Sequence, residues 1–137
     1  MSKSAKSVFI YSVFYAFNGL MLLLAPNVLL NSLGIESTSE VWIRLAGILL
    51  TAIAVYYILA AKYELVVIMK ATAFIRFSII FFFTAFVLLQ LVPSSIIIIS
   101  VIDFLGGLWT FLMLKKEGHF KGSATPVREV QMENGKR

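Results

Sequence analysis

The chain has no cysteine, a single histidine and three prolines, and only 14% of its 137 residues are charged. Without cysteine there is no disulfide, no thiolate chemistry and no cysteine-held metal. The one histidine, His119, lies close to the polar C-terminal end, so histidine clusters for metal or haem are excluded as well. Missing too are a nucleophile–base pair, a carboxylate dyad, a glycine-rich phosphate loop and any metal-ligand spacing. No catalytic residue, metal or cofactor is expected.

Scarce charge beside 60% hydrophobic residues places the chain outside the soluble globular range. The net charge of +5 would point to nucleic acid in a soluble protein. Here most basic residues flank apolar runs, where they act as topology signals. The expected partner is the lipid bilayer, not nucleic acid.

Four apolar runs are long enough to cross a membrane: residues 8–25, 41–61, 65–92 and 95–114. They imply an all-α membrane fold, a four-transmembrane-helix antiparallel bundle over 1–116. A basic start followed by an apolar run also describes a signal peptide. The first run is long for one, and Pro26 follows Ala25 directly, so a retained helix is expected. Residues 26–40 are too short to span and mix Leu with Asn and Ser, as an interfacial segment between helices 1 and 2 would. Gly34 is expected to end that turn, and Ser37, Thr38 or Ser39 to cap the second span. Residues 93–95 read as a very short turn that makes the last two spans neighbours. Residues 117–137 have almost no apolar content and read as a disordered cytoplasmic tail.

With the N-terminus, the break near Lys62 and the tail on one side, that side holds Lys3, Lys6, Lys62, Lys70, Lys115, Lys116, Lys121, Arg128, Lys136 and Arg137. The other side holds Glu36, Glu40 and Arg44. The positive-inside rule then places both termini in the cytoplasm, with the chain a multi-pass protein of the cell (inner) membrane. Trp42 fits the outer aromatic belt, and Tyr56, Tyr57 and Tyr63 approach the inner one.

The acid in the last span dominates the functional reading. Asp103 lies twelve residues before Lys115, roughly 18 Å at 1.5 Å per residue. A carboxylate at that depth must be paired, protonated or wet. Each span offers polar or small residues at helical spacing: Tyr11, Tyr15 and Asn18; Arg44, Gly47, Thr51 and Ala54; Arg76 and, far along, Gln90; Ser100, Asp103, Gly107 and Thr110. Three arrangements accommodate the acid. Arg76 reaches it from the neighbouring helix, Arg44 serves instead or flanks it, or a protonated Asp103 bonds Asn18. The candidate ligand-binding residues are Asp103, Arg76, Arg44, Asn18, Tyr15 and Thr51. They would contact a small amphipathic molecule or a lipid head group, in a chain small enough for homodimerisation to be expected. The other reading is a non-catalytic structural subunit in which the Asp–Arg pair only holds the bundle together.

The run Trp42-Ile43-Arg44-Leu45-Ala46-Gly47, the lone Arg76 and Ile102-Asp103-Phe104 resemble a pattern seen in uncharacterised small bacterial four-helix integral membrane proteins. The resemblance covers about residues 8–116 and implies the four-span fold without a particular chemistry. In span count the chain is also similar to the small multidrug resistance transporters. Those carry a membrane-embedded glutamate in their first helix, where this chain has Asn18 and no acid.

Overall fold

A computed structural model describes residues 1–120. Among them there are helices and no strands, in the order α1 (Lys3–Leu24), α2 (Pro26–Ser32), α3 (Val41–Lys62), α4 (Val66–Leu88), a 3-10 turn (Ser94–Ile96) and α5 (Ile97–Lys116). The four long helices run 20 to 23 residues and are apolar enough to cross a membrane. At 1.5 Å per residue that is about 30–35 Å, the thickness of a hydrocarbon core.

Helix ends follow local chemistry. The Ser2 side chain caps α1 by accepting from the Ala5 N–H at 3.1 Å. Pro26 disfavours helix at the residue before it, so Ala25 turns out at φ −137° and Pro26 opens α2. α2, α3, α4 and α5 each close on a left-handed residue, at Gly34, Glu64, Gln90 and Gly118. At each, the following N–H bonds back to the last turn, as Leu65 does to the Ala60 carbonyl at 2.9 Å. No side chain caps α3; the Thr38 hydroxyl instead accepts from the Glu40 N–H at 3.1 Å. The Gln90 turn ends α4 four residues earlier than expected, so the link to α5 is longer than 93–95. Gln90 is exposed there and outside any helix stripe.

The bundle is antiparallel. At one end the backbone N–H groups of Ser2 and Lys3 donate to Glu64 and Glu117 at 2.6 Å each, so α1 starts where α3 and α5 finish. At the other, Arg44 at the start of α3 donates to the Leu23 carbonyl at the end of α1, satisfying an orphan acceptor there. Residues 117–120, the first of the expected tail, lie against the bundle. Lys70 Nζ donates to the His119 carbonyl at 2.5 Å, and the Phe120 ring sits 5.0 Å from that of Phe111. The rest of the expected tail is outside the described residues.

Small residues set the pairing. α1 packs most extensively on α3, and α4 on α5. A methyl group on Gly47 would stand 2.6 Å from the Leu23 nitrogen, and one on Gly107 would stand 2.9 Å from Arg76 Cβ. These backbones are therefore close enough that only glycine fits. α1 also joins α5, through Ser7 to Thr110 at 3.0 Å and from the Tyr11 hydroxyl to the Ile102 carbonyl. α3 and α4 touch over only a short stretch, less than α1 and α5 do.

Candidate functional site

Asp103 faces inward and is buried. Its partner is neither arginine nor Asn18: the Tyr15 hydroxyl donates to Asp103 Oδ1 at 2.7 Å. Tyr15 stands one turn from Tyr11 on the inward stripe of α1, so both tyrosines project toward α5. Asn18 donates instead to its own helix, to the Phe14 carbonyl at 2.8 Å.

Arg76 is fully buried. The expected ion pair with Asp103 is not formed; the ion pairs among the described residues involve only Glu64 and Glu117 at the bundle end. Three tyrosine rings surround the guanidinium. Its central carbon lies 3.8 Å from the ring centroid of Tyr11, 5.1 Å from that of Tyr57 and 5.5 Å from that of Tyr15. The physical reason is spatial. Tyr15 gives its hydroxyl to Asp103 and its ring to Arg76, and so links the two groups without an ion pair. Each desolvated contact of a cation with an aromatic face stabilises by about 2 kcal/mol. Yet Nε and both terminal nitrogens of Arg76 have no hydrogen-bond acceptor among the described residues, which costs several kcal/mol for a buried ion.

Beside this cluster lies a cavity of about 380 Å³. Asp103, Tyr15, Asn18 and Tyr57 contribute its polar wall. The apolar wall includes Leu50 and Ile53 from α3 and Ile79 and Phe83 from α4, with Leu29 of α2 also against it. The packed core, with Val8, Ala61, Met69 and Leu114, fills the half of the bundle toward the Glu117 end. The cavity occupies the other half. A compact, mostly apolar space with a few converging polar groups suits a small ligand.

The remaining expected residues stand apart. Arg44 is exposed and holds the end of α1. The Thr51 hydroxyl donates to the Gly47 carbonyl at 2.8 Å and packs at the α1–α3 contact. Two residues were not expected in the site. Tyr57, assigned to the aromatic belt, is buried in the cage, and it continues the spacing of Gly47, Thr51 and Ala54 by three residues. Phe83, which lies on none of the polar stripes, lines the cavity.

Comparison with known protein families, with curated proteins and with solved structures finds no match to this chain.

Proposed function

We propose that this small polytopic membrane protein binds a small amphipathic molecule or lipid within the bundle, with Asp103 as the polar anchor. The observation that carries the reading is the cavity, with a buried acid in an otherwise apolar and aromatic wall. An acid inside a membrane bundle is a functional group by default. Asn18, Tyr15 and Tyr57 supply further polar contact, while Arg44 and Thr51 support the helix pairs around it. The positive-inside pattern supports both termini in the cytoplasm of a cell whose inner membrane holds the chain.

Native mass spectrometry of the protein released from its membrane tests this. Wild type is expected to retain a bound amphiphile. Leu50→Trp, which fills the cavity, is expected to lose it. An unchanged set of bound molecules in Leu50→Trp would refute the assignment.

A structural role is the second reading. The bonds from Tyr15 to Asp103, Tyr11 to the Ile102 carbonyl and Ser7 to Thr110 all tie α1 to α5. If that is their whole purpose, Leu50→Trp should leave the protein's copurifying molecules and partners unaltered, whereas Asp103→Asn should lower its thermal stability in detergent.

A further inference from the structure

We infer that the cavity takes an amphipathic organic cation, whose ammonium group is received by the second oxygen of Asp103. This rests on the cavity-binding reading above and deepens it.

Asp103 has acceptor capacity to spare. Tyr15 occupies Oδ1. No donor among the described residues reaches Oδ2, and Oδ2 is not among the sealed, unpartnered side-chain atoms, all of which belong to Arg76. The acid itself forms part of the cavity wall. A carboxylate with an open oxygen in an apolar space favours a cationic donor.

The native cation is withheld. The guanidinium of Arg76 is held among the rings of Tyr11, Tyr15 and Tyr57 and takes no part in the cavity wall. It therefore neither neutralises Asp103 by contact nor offers itself to an anion in the cavity. An anionic head would meet the carboxylate directly, with the Tyr15 hydroxyl already donated.

The rest of the wall agrees. Phe14, Tyr15, Tyr57 and Phe83 present aromatic surface, which attracts cations by the ring quadrupole. The isoleucines and leucines accept an apolar body. The sparsely joined helices α3 and α4 both line this cavity, so a molecule dissolved in the bilayer has a lateral route to it.

The test uses the full chain in zwitterionic nanodiscs and three probes of one shape: 1-adamantylammonium, 1-adamantanol and adamantane-1-carboxylate. Saturable binding is measured by equilibrium dialysis against empty nanodiscs. The ammonium is expected to bind about tenfold or more tightly than the other two, the scale of one charge-assisted hydrogen bond. Asp103→Asn is expected to erase that preference. Asp103→Glu, folded by circular dichroism and size exclusion, is expected to keep it. If the alcohol or the carboxylate binds wild type as tightly as the ammonium, the cation assignment is overturned and the cavity reading stands. If none binds saturably, both fall. Because the comparison among probes uses wild type, a misfolded variant does not protect the inference.

Discussion

Gly106→Ala is the sharpest probe of how this bundle is assembled. A methyl group at that position would stand 1.8 Å from Tyr11 Cζ and 2.0 Å from its hydroxyl oxygen. The ring has nowhere to go: its hydroxyl is bonded to the Ile102 carbonyl and its face lies against Arg76. Overpacking of this kind costs about 1–3 kcal/mol. Displacing the ring also forfeits about 1 kcal/mol for the hydrogen bond and about 2 kcal/mol for the stack on the guanidinium. Alanine's better helix propensity returns about 1 kcal/mol. One ring movement causes the first three losses together, so they overlap, and a net loss of about 2–4 kcal/mol is expected. The assay is chemical denaturation in mixed micelles, followed by circular dichroism. Tyr11→Ala should be destabilised on its own, and adding Gly106→Ala to it should cost little, because the slot is then empty. A neutral Gly106→Ala, or equal costs in the two backgrounds, would refute the reasoning.

Three other outcomes are expected. Gln90→Gly should raise the melting temperature, because φ 57° at this exposed turn strains any residue with a Cβ and glycine removes about 1 kcal/mol of that strain; a lower melting temperature would show that the Gln90 side chain matters more than its backbone. Burial alone would raise the Glu117 carboxyl, but bonds from the Ser4 hydroxyl and from the Ser4 and Lys3 N–H groups, with His119 close by, outweigh it and hold Glu117 below its ordinary 4.5. The unfolded chain thus binds a proton more readily. The stabilisation is complete above the ordinary value and fades as pH falls through the folded one, so the loss of stability on acidification below the ordinary 4.5 should be smaller in Glu117→Gln than in wild type. Exchanging the charges of Asp103 and Arg76 should not rescue the single variants in thermal unfolding, because the two side chains are not in contact; restored stability would show a direct pair.

The fold was legible because its signals are local. Pro26 and Gly34 each act within a few residues and landed where expected; span length foretold four crossing helices, although α4 stops at Leu88, short of residue 92. The left-handed Gln90 was invisible, since nothing about glutamine marks a helix end. The site was legible in part. Asp103 and Arg76 announced themselves as ionisable residues within spans, and inward-facing Tyr15 lay on the expected stripe. Their pairing was not readable, because helical spacing gives a face and a depth but not which neighbour fills the gap. Charge attraction pointed to Arg76 and Asp103 meeting. Instead the Tyr15 hydroxyl takes the acid and the guanidinium lies among three tyrosine rings.

That separation bears on why both charges are there. A buried ion pair in contact can hold helices in register, and a well-packed apolar pair of similar volume often does so with equal or better stability. Here even the direct contact is absent. Arg76 sits with three nitrogens lacking acceptors, and Asp103 keeps an oxygen free toward a cavity. Neither arrangement is the cheapest way to join four helices that already pack through Gly47 and Gly107. The tyrosine cage makes physical sense if its effect is to hold a countercharge near the acid without consuming it. Arg76 then balances the field of Asp103 at a distance, while the carboxylate stays open to an incoming donor.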